Sequence, residues 1–154
     1  MIVVVSIENT FAQGPDLRTA AAYRSARPLY EVLRGGYQLI GLTTATPDIA
    51  RWWLKREHMA EWSNLRFYDP RTTPLEYLDW KVDELREFLA SGWEIAFYID
   101  SDWTPLMKAI ALGVSTLRIE HAQRVPGFRD PEEMTPRAWS DVASTLGVTV
   151  SEGD

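Results

Sequence analysis

The 154-residue chain contains no cysteine. That excludes a disulfide framework, a thiolate metal site and a thiol nucleophile. No apolar run approaches the ~20 residues needed to span a membrane, and no basic n-region leads into a signal sequence. A cytoplasmic location is the expectation. Basic residues are the minority, 16 against 22 acidic, for a net charge of −6. This balance argues against non-specific nucleic-acid binding, though not against a local basic groove. Internal repeats and low-complexity segments are also missing. What remains is 45% hydrophobic and 25% charged, the make-up of an ordinary globular domain with room for a core. The seven tryptophans are a high number, explained for the most part by core filling.

Ile2 to Val5 is wholly apolar and β-branched, the signature of a parallel strand buried on both faces. A turn at Gly14-Pro15 follows, then a helix from Pro28 to Arg34 stopped by Gly35-Gly36. Tyr37–Leu42 is the second strand and ends in Thr43-Thr44-Ala45-Thr46. Thr46 is placed to cap the next helix, with Pro47 at its first position and Ile49, Trp52 and Trp53 on its buried side. Leu65–Tyr68 is a short third strand with Asp69-Pro70-Arg71 as its exit loop. Thr73 and Glu76 have the spacing of a capping box. They open the longest helix, to about Ala90, with Leu78, Val82, Leu85 and Leu89 on one face and Gly92 as its stop. Glu94–Ile99 is the fourth strand, ending in Asp100-Ser101-Asp102. A helix from Pro105 to Gly113 leads to a fifth strand, Ser115–Ile119, and Thr135-Pro136 starts a last helix carrying Trp139, Val142 and Leu146. Strands alternating with helices imply parallel pairing with right-handed crossovers.

In open α/β sheets, ligands sit at the carboxyl ends of the strands. Here those ends bear Ser6 and Glu8, Thr43, and Asp100 with Asp102, while Lys81 lies near the start of the helix before the fourth strand. Hydroxyl, lysine and carboxylate on one sheet edge suit a phosphate with a divalent cation. Singly, each has a plain structural explanation: a backbone bond for Thr43, a solvated helix charge for Lys81, a helix cap for Asp100. The set in this order is the informative observation.

The order resembles the haloacid dehalogenase superfamily of phosphotransferases over about residues 2–119. The first motif stands as Val5-Ser6-Ile7-Glu8-Asn9-Thr10, the second as Leu42-Thr43, the third as Lys81, and the fourth as Ile99-Asp100-Ser101-Asp102. Ala50-Arg51-Trp52-Trp53-Leu54 and Asp69-Pro70-Arg71, with the lysine ten residues on, are similar to the phosphatase domain of phage polynucleotide kinase-phosphatase. The resemblance implies a single α/β domain over 1–154. It would be a three-layer, Rossmann-like fold with core about 2–119 and a C-terminal extension 120–154. The sheet would be parallel and five-stranded, in order 5-4-1-2-3, with helices on both faces. The motif spacings leave no room for a large cap domain. Capless members act on large substrates, nucleic-acid ends or proteins. For a phage-encoded chain, the location would be the host cytoplasm. Ser6, Glu8, Thr43 and Lys81 take the catalytic motif positions. Thr10, Thr44 and Arg71 are candidates for holding phosphate or another ligand. Asp100, Asp102 and Glu8 are the candidate Mg²⁺ ligands.

The departures from the pattern carry as much information. The family's first aspartate attacks phosphorus and helps hold Mg²⁺; here it is Ser6. A serine hydroxyl is protonated at neutral pH and needs a base to become a nucleophile, and neither His58 nor His121 falls at a motif position. The general acid is Glu8, one methylene longer than aspartate. Ser101 stands where a second fourth-motif acid would be, which further weakens the Mg²⁺ site, since hard cations need charged oxygens. Asn9 replaces the motif glycine and is one of the few residues that accept its backbone angles. Three readings follow. The first is a degenerate phosphatase-like protein that binds a phosphorylated ligand, a nucleic-acid end or a protein partner. The second is a Mg²⁺-dependent phosphatase of nucleotides or polynucleotides, in which Glu8 and Asp100 hold metal and activate water. The third is a structural or interaction protein on an α/β scaffold.

Overall fold

The computed structural model describes residues 1–121. The helix expected from Thr135, with Trp139, Val142 and Leu146, lies outside the described residues, as does nearly all of the extension 120–154. The described elements alternate: β1 (Ile2–Ser6), α1 (Ala26–Gly36), β2 (Gln38–Thr43), α2 (Pro47–Arg56), β3 (Asn64–Phe67), α3 (Tyr77–Ala90), β4 (Ile95–Asp100), α4 (Trp103–Ala111) and β5 (Thr116–Arg118). All strand pairs are parallel, in the order β3-β2-β1-β4-β5, as expected. Among the described residues no helix is long and apolar enough to cross a membrane.

β1 is central, and all five of its residues are buried. Successive strand side chains point to opposite faces, and β1 divides the core accordingly. Val3 and Val5 pack with Tyr30 and Leu33 of α1 and Trp53 and Leu54 of α2. Ile2 and Val4 pack with Trp80, Leu85 and Phe88 of α3 and Leu106 of α4. The apolar run in β1 thus serves two helical layers. Gly41 in β2 is a point of close approach, where an added Cβ would meet Leu65 Cδ2 at 2.8 Å and Ile7 Cδ1 at 2.9 Å.

Several boundaries and faces differ from those the sequence predicts. α1 begins at Ala26 and runs through Gly35 and Gly36; a helical glycine costs about 1 kcal/mol but does not forbid the turn. Thr46 makes no side-chain cap bond, and Pro47 opens α2 without one. Trp52 is exposed, with the Arg56 guanidinium 4.7 Å from its ring centre. The capping box does not form. Thr73 Oγ1 instead accepts the Leu75 N–H at 3.2 Å, a local turn, and α3 starts only at Tyr77. The buried face of α3 is Trp80, Lys81, Val82, Glu84, Leu85 and Phe88, while Leu78 and Leu89 lie exposed. Trp80 and Phe88 remove more apolar surface from water than the two leucines would. α4 starts at Trp103, with Pro105 inside its first turn. Gly92 (φ +83°) and Gly113 (φ +82°) close α3 and α4 in the left-handed conformation that glycine permits.

Candidate functional site

Parallel strands bring their carboxyl ends to one edge. β1 sits between β2 and β4, so Ser6, Thr43 and Asp100 end adjacent strands. The Val5–Ile99 pairing sets Ser6 and Asp100 one step further along neighbouring strands. Beyond β1 the chain turns sharply, with the Ile7 carbonyl accepting the N–H groups of Thr10, Phe11 and Ala12. Asn9 takes φ +61° there, the angle for which glycine or asparagine is suited. Ser6, Glu8, Thr10, Thr43, Lys81 and Asp100 are all buried.

The side chains form two groups. In the first, Glu8 Oε1 accepts hydrogen bonds from Thr43 Oγ1 (2.5 Å), the Thr44 N–H (3.0 Å) and Thr44 Oγ1 (3.1 Å). Thr43 Oγ1 in turn accepts the Ala45 N–H at 3.0 Å. Glu8 Oε2 is buried without a hydrogen-bond partner. In the second, the Lys81 ammonium lies 2.9 Å from Asp100 Oδ2 and 3.0 Å from Asp102 Oδ2. Asp100 Oδ2 also accepts a short bond from the Tyr98 hydroxyl, and Oδ1 accepts the Asp102 N–H at 3.0 Å. Tyr77 links Ser6 to the second group. Its hydroxyl is 3.4 Å from Ser6 Oγ, and its ring lies under the Lys81 ammonium, 4.4 Å from centre to nitrogen.

Thr10 borders the second group through Ser101 Oγ, at 3.5 Å. Arg71 is not brought in: its guanidinium is bonded to Asp69 on the exposed exit loop. Sequence reasoning missed Tyr77 and Tyr98. The signals were present in the spacing. Tyr98 lies two residues before Asp100 on one strand face, and Tyr77 four before Lys81 on one helix face.

Burial pushes the Glu8 carboxyl above its ordinary value of 4.5, against the opposing pull of the Thr43 and Thr44 hydrogen bonds. The Tyr77 and Tyr98 phenols are raised too, first by burial and then by nearby carboxylates. A raised carboxyl pKa in the folded state makes a contribution to stability that is complete below the unfolded value. That contribution is lost as pH rises through the folded one. Glu8→Gln keeps an oxygen for the same donors and removes the titration. Across urea melts from pH 4 to pH 8, the natural protein will therefore lose stability relative to Glu8→Gln. Glu84, also raised by burial, is present in both proteins and cancels. Parallel pH profiles would contradict this account of Glu8.

Mg²⁺ takes oxygen ligands in near-octahedral array. Here both Asp100 oxygens are engaged by Lys81, Tyr98 and the Asp102 amide. Glu8 Oε1 is engaged by the threonines, which leaves Oε2 as its one unpartnered oxygen, and Ser6 brings a neutral hydroxyl. Among the described residues no three His, Asp or Glu side chains are grouped to hold a metal. The donor set as arranged does not fit Mg²⁺.

The fold itself is that of the haloacid dehalogenase-like proteins. A chain of the Pnkp1/Rnl/Hen1 RNA repair complex superposes with a TM-score of 0.64 at 11% identity, covering 77% of this chain and 42% of that one. The present chain thus spans under half the length of that protein. A haloacid dehalogenase-like family hydrolase from Streptococcus pneumoniae superposes with a TM-score of 0.59 at 13% identity, covering 77% of this chain and 84% of that one. No family model matches the sequence, and no curated protein matches it by sequence.

Proposed function

We propose that this is a non-catalytic haloacid dehalogenase-fold protein that acts by binding. One observation carries the reading: the position of the attacking aspartate holds Ser6, whose hydroxyl neighbour is the Tyr77 phenol. A phenol is protonated at neutral pH, and burial pushes the Tyr77 pKa further up, so it offers the serine no free base. Of the possible binding partners, a protein is favoured over a phosphorylated ligand or a nucleic-acid end. Apart from Glu8 Oε2, the buried strand-end acids are engaged by neighbouring side chains and amides, and the net charge of −6 opposes phosphates. By contrast, α4 exposes Trp103, Met107 and Ile110. A cytoplasmic location accords with a chain that has no cysteine.

One feature favours the alternative of a Mg²⁺-dependent phosphatase: a raised carboxyl at Glu8 is suited to general acid catalysis. A single assay separates the two. Supplied with Mg²⁺, the purified protein will not hydrolyse p-nitrophenyl phosphate or a 3′-phosphorylated oligonucleotide above background. Turnover that Glu8→Gln or Asp100→Asn abolishes, and that Ser6→Ala leaves intact, would establish the phosphatase instead.

A further inference from the structure

We infer that the Lys81 ammonium is the resident cation of the strand-end site and holds the place of a divalent metal. The side chain of Lys81 is 0% exposed, as is that of Asp100, whereas Asp102 is 39% exposed at the rim. One ammonium bridges two carboxylates at hydrogen-bond distance from each. Its underside is covered by the Tyr77 ring, which favours a cation electrostatically. The remaining acceptors of Asp100 are engaged by Tyr98 and the backbone. The fully buried Asp100 carboxylate is thus paired and hydrogen-bonded from within the fold, and the charge left over falls to Asp102 at the exposed rim.

Competition with a metal is then unequal. The ammonium is tethered and always present at high effective concentration. Mg²⁺ arrives fully hydrated and gives up its waters reluctantly. To bind Asp100 and Asp102 it would have to displace Nζ from both. The ammonium would be left buried without its counter-charges, which is strongly unfavourable. Removing the ammonium reverses the balance. Two carboxylates then face one another with no cation between them, and an exposed edge at Asp102 admits one.

The inference shares its site with the non-catalytic reading, yet the two fail separately. Turnover in the phosphatase assay would overturn that reading, and a metal response of the natural protein would overturn this one. The test is a set of melting curves in EDTA and in excess Mg²⁺. The natural protein will melt at the same temperature in both. Lys81→Met will melt lower in EDTA and recover in Mg²⁺, by on the order of 10 °C once the ion is roughly 100-fold above its Kd. Adding Asp100→Asn to Lys81→Met will abolish the recovery and so place the ion at that carboxylate. If Lys81→Met does not fold in EDTA, refolding it in Mg²⁺ gives the same readout, and Mn²⁺-induced water-proton relaxation of the natural protein supplies a second. Mg²⁺ stabilisation of the natural protein that Asp100→Asn removes, or a Lys81→Met response no larger than that of the natural chain, overturns the inference. So does Mn²⁺ bound at Asp100 in the natural protein.

Discussion

In metal-free buffer, Lys81→Met will lower the free energy of unfolding by about 3–5 kcal/mol, the cost of leaving a buried charge without its partner. Asp100 is fully buried, so in the absence of a cation its charge is poorly solvated once the ammonium is lost. A domain of this size has only ~5–15 kcal/mol in total, which brings the variant close to unfolding. The loss belongs to the unpaired charge rather than to the missing lysine stem, because methionine fills much the same volume. Lys81→Met combined with Asp100→Asn should therefore be more stable than Lys81→Met alone. The asparagine amide oxygen still accepts from the Tyr98 hydroxyl and the Asp102 N–H, and no charge is left uncompensated. Urea midpoints for the natural protein, both single variants and the double variant complete the cycle. Costs that simply add would mean that Lys81 and Asp100 do not depend on each other.

The alternation of apolar strands with amphipathic helices was enough to read the architecture. Ile2–Val5 could be read as covered on both faces because the run is apolar at every position; its place at the sheet centre came from the strand order that the family resemblance implies. The third helix shows where such reading stops. Its leucine spacing selected Leu78 and Leu89, but the larger Trp80 and Phe88 took the sheet-facing side. Helix starts were misplaced for a related reason: Thr73 satisfies a turn amide instead of a helix end. At the site, spacing brought Ser6, Thr43, Lys81 and Asp100 to one edge, since parallel strands leave little freedom there. Which acid pairs with which donor was not legible. Glu8 turns to Thr43 and Thr44, and Lys81 turns to the two aspartates. That choice is made by side-chain length and by burial. Neither leaves a periodic trace in the sequence.

Ser6→Asp together with Glu8→Asp will create a Mg²⁺ response that the natural protein lacks. Ser6 is buried and lies one step past the Val5–Ile99 pairing, beside Asp100 on the neighbouring strand. A carboxylate there adds a third acid around Lys81, and the set goes from one uncompensated negative charge to two. Without a cation the double variant will be less stable than the natural protein, because close like charges repel and raise a carboxyl pKa. Shortening Glu8 also withdraws an acceptor from the Thr43 and Thr44 donors, which adds to that loss. With Mg²⁺ the same acids become oxygen ligands of the hard type the ion requires. Binding to the native state alone then stabilises by about 2.7 kcal/mol at 100 times the Kd, on the order of 10 °C for a domain of this size. The added aspartate also restores an ionised nucleophile where the serine needed a base, so weak phosphomonoester hydrolysis is expected beside the thermal shift. Here excess carboxylate, not loss of the ammonium, draws in the metal, so the response should appear with Lys81 intact. Melting curves of the double variant and the natural protein, each with and without Mg²⁺, decide the matter. Equal responses in the two proteins would mean that Ser6 and Glu8 do not border the Asp100 site.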